Sequence, residues 1–199
     1  MAVFTGCTNL QSVRLEEGAT VIGEYMFLEC TSLSNVELPS TLTTIGNGAF
    51  KQCALETVCL PASVDSIGEY AFQNCTALKS VELPAGLKAL SRYVFNGCTS
   101  LGSIVLPDGL ETIGYSAFSN CTAMTSITMG DKIKSVGDGA FVNCEALADV
   151  CYKGSLSGWM RIDMLADTYP EETCPLSFAS RLYLSLIHIS EPTRQEAIS

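Results

Sequence analysis

Hydrophobic residues recur along this chain with a period of 23 residues. Residues 101–121, LGSIVLPDGLETIGYSAFSNC, show the unit most completely, and its apolar skeleton returns from one end of the chain to the other. Aligned on the apolar residue that opens each unit, the repeats begin at Leu10, Leu33, Leu55, Leu78, Leu101, Met124 and Leu147. The interval before Leu55 is 22 residues because one loop residue is missing, which a surface loop tolerates. A repeat of this length predicts a solenoid whose stacked units share one continuous core.

The two halves of the unit predict different local structures. In the first half apolar and polar residues alternate, as over residues 78–83, which is typical of a short strand with one buried face. A proline ends this strand in four units: Pro39, Pro61, Pro84 and Pro107. In the second half, pairs such as Ile113-Gly114 and Ala117-Phe118 predict one helical or 3₁₀ turn, with the glycine easing the bend. We therefore expect an α/β repeat with a parallel sheet of short strands on one side and turns on the other.

The pattern also divides the chain into segments. Residues 1–9 match the last third of a repeat, residues 10–146 form six repeats, and residues 147–183 form an irregular terminal repeat or cap. We expect Trp159, Ile162 and Met164 to cover the end of the core. The alternative is that Trp159 is a surface aromatic used in binding.

The end of the chain has a different character. Residues 184–194, LSLIHISEPTR, resemble a translated sequencing adapter, so we expect residues 184–199 to be a non-biological tail and the chain to be a fragment. The only histidine, His188, lies in this segment. No signal peptide and no apolar run of the roughly 18 to 20 residues that span a membrane are visible, so we expect no membrane insertion by this fragment.

The repeated phrase LxxVxLPxxLxxIGxxAFxxC, at residues 33–53, 55–75 and 101–121, resembles the BspA-like leucine-rich repeat. The resemblance implies an arc or horseshoe with the parallel sheet on its concave face. It also implies a secreted or cell-surface protein that binds host proteins, matrix proteins or other cells, with no shared enzyme activity. The sequence departs from the pattern at Leu90-Ser91 in place of Ile-Gly, at Met26 and Val94 in place of alanine, and at Gly130 in place of proline.

Composition and charge narrow the function classes. The formal net charge is −10, with 11 basic and 21 acidic residues, which argues against nucleic acid as a partner. Ten cysteines are present, and seven occupy one position of successive repeats: Cys7, Cys30, Cys53, Cys75, Cys98, Cys121 and Cys144. We expect these to be buried free thiols, because equivalent side chains in stacked units point in parallel. A metal site is disfavoured because a ladder does not converge on one point.

The sequence does not supply the partner residues that a catalytic cysteine or serine needs. Cys59 and Cys151 are expected to face outward, but a nucleophilic cysteine needs a base or a positive field, and the repeats contain no histidine. The recurrent strand serines fail as hydrolase nucleophiles for the same reason. We therefore predict no catalytic residue, no metal and no cofactor.

Apart from a recurrent serine, the outward strand positions vary, whereas the inward positions remain apolar. We predict that they form a surface for a protein or matrix partner: Ser12, Arg14, Asn35, Glu37, Thr57, Cys59, Ser80, Glu82, Ser103, Val105, Ser126 and Thr128. The alternative is a passive structural spacer in a longer surface array. The repeat pattern specifies no oligomeric state.

Overall fold

The structure, a computed structural model, describes residues 3–165, 174–177 and 179–184. Each repeat supplies one strand to a first column, and these strands lie at β1 Ser12–Arg14, β3 Asn35–Glu37, β5 Thr57–Cys59, β7 Ser80–Glu82, β9 Ser103–Val105, β11 Ser126–Met129, β13 Asp149–Tyr152 and β15 Arg181–Leu184. Two-residue strands form a second column at β2 Val21–Ile22, β4 Thr44–Ile45, β6 Ser66–Ile67, β8 Ala89–Leu90, β10 Thr112–Ile113, β12 Ser135–Val136 and β14 Asp163–Met164. The predicted solenoid with parallel strands is therefore confirmed.

All strand pairs are parallel and join equivalent positions of neighbouring units, as in Ser103 beside Ser126. The first column divides into three sheets, β1-β3, β5-β7 and β9-β11-β13-β15, and the second into β2-β4-β6 and β8-β10-β12-β14. The unit of β7 and β8 therefore pairs with the preceding unit through its first strand and with the following unit through its second. This staggered interruption, and the second column itself, were not predicted.

The core is a set of ladders, one for each apolar position of the repeat. The clearest is a column of phenylalanine rings stacked 5.4 to 5.7 Å apart between centroids, with interplanar angles of 5° to 14°. Six of these rings are fully buried: Phe27, Phe50, Phe72, Phe95, Phe118 and Phe141. Because each ring contacts its equivalents above and below, no unit buries its own core alone.

The turn side contains no helix within residues 3–155, where one helical or 3₁₀ turn per repeat was expected. Its backbone N–H groups bond to the next unit instead, as Phe27 N to Ala49 O at 2.9 Å. Two positions four residues apart adopt left-handed φ, for example Tyr70 at 60° and Asn74 at 57°. A residue with positive φ cannot continue a right-handed helix, so the repeating left-handed residues exclude one.

The Ile-Gly glycine allows close packing between units, a role that we did not predict. A Cβ on Gly114 would lie 2.7 Å from Leu90 O, and one on Gly68 would lie 2.5 Å from Asn47 N. Ser91 holds this position in the fourth unit. The Ser91 hydroxyl donates to Ile67 O. At the glycines the backbone N–H donates to the equivalent carbonyl of the preceding unit, but among the described residues Ser91 N–H makes no such bond. The second column is interrupted at this unit, between β6 and β8.

The last described segments continue the stack with altered structure. A four-residue helix, α1 at Leu156–Trp159, and a 3₁₀ turn at Pro175–Ser177 replace the regular turns. Trp159 packs against the core and meets the Tyr152 ring edge-on at 5.4 Å. Ile162 is buried. Of the predicted tail, only Leu184 is described, at the end of β15; His188 and residues 185–199 lie outside the described residues.

Candidate functional site

The outward residues of the first strand column form a continuous surface, here called the strand face. Its members are the twelve predicted site residues, Ser12, Arg14, Asn35, Glu37, Thr57, Cys59, Ser80, Glu82, Ser103, Val105, Ser126 and Thr128. Ten of them are exposed, and Ser126 and Thr128 are half-buried. Strand pleating explains the arrangement, because the central residue of each strand turns inward and its two neighbours turn outward. Their role in binding remains a prediction.

Polar contacts on the strand face run from one repeat to the next. Arg14 and Glu37 form an ion pair at 3.6 Å, and the Cys59 thiol donates to Glu82 Oε2 at 3.1 Å. Among the described residues, no lysine or arginine forms an ion pair with Glu82. Glu82 is therefore a carboxylate that accepts from a neutral donor, whereas Glu37 has an arginine cation 3.6 Å away.

The first column has a recurring main-chain bond that is absent beside β3 and beside β7. At three other places the leucine that follows a strand donates its N–H to the next strand, from Leu15 to Glu37 at 3.0 Å, from Leu60 to Glu82 at 3.1 Å and from Leu106 to Thr128 at 2.9 Å. Within the described chain, Leu83 N–H makes no such bond to Val105 C=O. At the start of the same strands, Gly102 N still reaches Lys79 O at 3.4 Å. The two strands thus separate toward their carboxyl ends.

A groove of about 450 Å³ lies where these strands separate. It brings together four of the predicted site residues, Ser80, Glu82, Ser103 and Val105. Val105 is 63% exposed and lies at the strand position that carries charged or polar side chains in most other repeats. The remaining predicted residues lie elsewhere on the strand face, with Arg14 and Glu37 beside a smaller groove of about 150 Å³.

Sequence reasoning missed the far wall of the larger groove. Asp108 and Lys153 form an ion pair at 2.6 Å there, although they lie 45 residues apart. Lys153 belongs to the irregular segment after the regular repeats, so repeat alignment gave no signal for it. The substitution of serine for glycine at Ser91 and the apolar Val105 were visible signals of an irregular fourth and fifth unit.

A row of tyrosines on the turn side was also missed. Tyr70 and Tyr93 stack at 4.9 Å with an angle of 10°, and Tyr115 meets Tyr93 edge-on at 5.2 Å. Lys51 and Arg92 lie over the rings of Tyr70 and Tyr115 at 5.6 and 5.7 Å. The rings of Tyr70 and Tyr115 therefore each contact a cation as well as the Tyr93 ring.

The cysteine ladder is a hydrogen-bonded structural feature. All ten cysteines are free, and Cys30 and the five later ladder thiols are buried, while Cys7 is exposed. Each buried thiol donates to the backbone carbonyl of the preceding unit's phenylalanine, as Cys98 Sγ to Phe72 O at 3.3 Å. Burial raises the pKa of these thiols, to about 12 for Cys144. They are neutral groups at physiological pH.

The outward Cys59 does not have the environment of a nucleophile. Its pKa is raised, first by the hydrogen bond to Glu82, then by partial desolvation and by the negative charge of that carboxylate. A nucleophilic cysteine needs the opposite shift. Over the described residues, no group of three or more His, Cys, Asp or Glu side chains is placed to hold a metal ion, and no helix is long and apolar enough to cross a membrane.

Repeated parallel strands on an invariant apolar frame define a leucine-rich repeat solenoid. The chain belongs to the family described as BspA type leucine rich repeat region, which matches in six copies over residues 1–101 and 66–159. No curated protein sequence matches the chain.

Solved structures share the fold. A leucine-rich repeat protein of Eubacterium ventriosum is 31% identical, with a TM-score of 0.65 over 69% of this chain. A leucine rich cell surface protein of Faecalibacterium prausnitzii is 25% identical, with a TM-score of 0.52 over 83% of this chain. A Bacteroides ovatus leucine-rich repeat protein is 21% identical, with a TM-score of 0.64 over 92%, and shows the fold alone. The chain spans 38%, 66% and 57% of these three proteins, respectively.

Proposed function

We propose that this chain is a non-enzymatic protein-interaction module of a secreted or cell-surface repeat protein, and that it binds a protein or matrix partner through the strand face. One observation carries the proposal: outward residues of varied chemistry stand in register on a nearly invariant buried frame. A solenoid built this way presents an extended surface whose composition can change without loss of the core. The cell-surface description of the Faecalibacterium prausnitzii protein supports the location.

The test is a charge reversal on the strand face that preserves its ion pair. Arg14→Glu, Glu37→Arg and Glu82→Arg together reverse the Arg14–Glu37 pair and change the net charge by about two units. Binding of the wild-type chain and this variant to a panel of immobilised extracellular matrix proteins and to intact cells would be measured by surface plasmon resonance and flow cytometry. We expect at least one ligand that the wild type binds to have an affinity for the variant that is lower by about tenfold or more.

A matched control reverses a pair elsewhere. Glu111→Lys, Lys134→Glu and Glu145→Lys give the same change in net charge, reverse the Glu111–Lys134 pair and leave the strand face intact. This control is expected to bind like the wild type. Equal weakening in both variants would indicate nonspecific electrostatics, and unchanged binding by the strand-face variant would refute the assignment of the partner surface. A wild-type chain that binds nothing in the panel would favour the spacer role.

A further inference from the structure

Resting on the proposed function, we infer that the groove between β7 and β9 binds an extended basic peptide segment of the partner, with its lysine or arginine cation at Glu82. The groove is the place on the strand face where main-chain groups, an unneutralised carboxylate and apolar surface meet. Each of these three features favours one part of such a ligand.

The exposed main-chain groups of the groove favour a ligand that contains peptide units. Leu83 N–H and Val105 C=O are the donor and acceptor that bond to each other at the equivalent point of other strand pairs, and both line the groove. Separated here, they can receive one peptide unit, whose C=O accepts from Leu83 and whose N–H donates to Val105. Pairing with exposed strand groups is a common way for proteins to bind extended peptides.

The charges select a cation. Among the described residues, Glu82 accepts from the neutral Cys59 thiol alone, whereas Asp108, on the opposite wall, is already paired with Lys153. A lysine or arginine of the ligand would therefore gain an ion pair at Glu82 without displacing another cation. The overall net charge of −10 adds a long-range attraction for basic segments and repels acidic ones.

The accessible apolar side chains of the groove suit the stem of such a side chain. Leu83 is half-buried and Ala85 and Val105 are exposed, and all three line the groove. Lysine and arginine carry three or four methylene groups that lie along apolar surface while the charged end stays in water. An acidic side chain has a shorter stem and the wrong sign.

The other interruption of the first column provides an internal comparison. Between β3 and β5 the strands are also unpaired, but the carboxylate at that point is Glu37, which already forms an ion pair with Arg14. A split in the column alone is therefore not the basis of the inference. Within the described part of the chain, Glu82 combines the split with a carboxylate that forms no ion pair.

The experiment uses a fluorescein-labelled octapeptide of alternating lysine and threonine, with its glutamate–threonine counterpart as the reverse-charge probe. Fluorescence anisotropy of the full chain is expected to show saturable binding of the lysine peptide and none of the glutamate peptide. Glu82→Gln should weaken binding about tenfold, the size expected for one charge-assisted hydrogen bond. Val105→Lys, which places a competing cation in the groove, should abolish it.

Two controls isolate the groove. Glu145→Gln removes an exposed carboxylate outside the strand face and is expected to change the dissociation constant less than twofold. N-methylation of the central amides of the lysine peptide removes the donor to Val105 C=O and should weaken binding several-fold. Circular dichroism of each variant verifies that the solenoid is intact.

Each other outcome overturns the inference. Equal weakening by Glu82→Gln and Glu145→Gln would mean diffuse attraction to an acidic surface. If N-methylation leaves the dissociation constant unchanged, the proposed main-chain contact is refuted. If the lysine peptide does not bind, a basic peptide as the ligand is refuted. If the peptide fails while the strand-face variant still loses matrix or cell binding, the proposed function stands and only the groove assignment falls.

Discussion

At the scale of single residues, the phenylalanine ladder shows how strongly one side chain depends on its equivalents. Phe72 is fully buried between Phe50 and Phe95, with centroid distances of 5.5 Å to both. Its truncation would open a cavity that two other repeats line. The surrounding backbone is bonded from unit to unit, which limits how far the site can collapse.

We expect Phe72→Ala to lower the free energy of unfolding by about 3 to 5 kcal/mol. Urea denaturation followed by circular dichroism measures the change. Val105→Ala is the control, because it trims a side chain that is 63% exposed, and its effect should stay within about 0.5 kcal/mol. A near-zero effect of Phe72→Ala would refute the shared core.

A second prediction at this scale concerns the acidity of the Cys59 thiol. Since Glu82 accepts from this thiol and raises its pKa, Glu82→Gln should lower that pKa by removing the negative charge. Rates of iodoacetamide alkylation at Cys59, followed by mass spectrometry across pH, are expected to rise at lower pH in the variant than in the wild type. Glu37→Gln should leave the profile unchanged. Coincident profiles for Glu82→Gln and the wild type would contradict the assigned cause.

At the scale of elements, the second strand column depends on a glycine that allows close approach. Where the repeat keeps this glycine, as at Gly114, its N–H bonds to the preceding unit, to Leu90 O at 2.9 Å. Where Ser91 replaces it, the strands β6 and β8 are no longer paired. The interruption of the second column therefore coincides with the loss of the glycine from the repeat.

We expect Gly114→Ala to destabilise the chain by about 1 to 3 kcal/mol, because its Cβ would lie 2.7 Å from a backbone oxygen. Gly102→Ala is the matched control, since a Cβ there meets nothing within 4 Å. That variant should be unchanged or more stable by up to about 1 kcal/mol, through reduced freedom of the unfolded chain. Thermal denaturation compares the two, and equal losses would argue against close packing as the reason for the glycine.

The regular elements were predictable because they depend on residue type within one repeat. Strand alternation, proline termination and the buried leucine, phenylalanine and cysteine positions all follow from the pattern and are found in the structure. The left-handed turns were not predictable, because tyrosine and glutamate occupy positions such as Tyr25 and Glu29 where positive φ is unfavourable for them. Bonding to the next unit decides those conformations.

The candidate site was predictable only as a list of outward positions. Which of them meet in a groove depends on the pairing of whole units, and that pairing is altered in the unit that carries Ser91. The departure from the glycine pattern is visible in the sequence, but the sequence does not show how the unit that carries it pairs with its neighbours. The ion pair of Asp108 with Lys153 depends in addition on a segment outside the regular repeat.

At the scale of the whole molecule, exposed ion pairs join consecutive turns of the solenoid. Glu56 pairs with Lys79 at 2.7 Å and Glu111 with Lys134 at 2.5 Å, each across 23 residues. Each pair lowers the pKa of its carboxyl through the hydrogen bond first and the lysine charge second. The stabilisation they contribute is therefore linked to pH.

A folded pKa below the unfolded value of about 4.3 gives stability that is present above that value and lost as pH falls through the folded pKa. We expect a Lys79→Met/Lys134→Met variant to melt below the wild type at about pH 7, and the gap to close toward about pH 3. Differential scanning calorimetry measures both chains. Added salt should narrow the neutral-pH gap, and a gap that persists at low pH would assign the effect to packing of the lysine stems.

The thiol ladder has a consequence for how the chain must fold. Disulfide exchange requires a thiolate. In the folded solenoid the buried thiols have a raised pKa and donate their protons to carbonyls, so they do not undergo this exchange. The unfolded chain instead exposes ten reactive cysteines. Oxidation before folding would cross-link positions that stack in parallel in the native state, so refolding in air should trap scrambled disulfides that refolding under a reductant avoids.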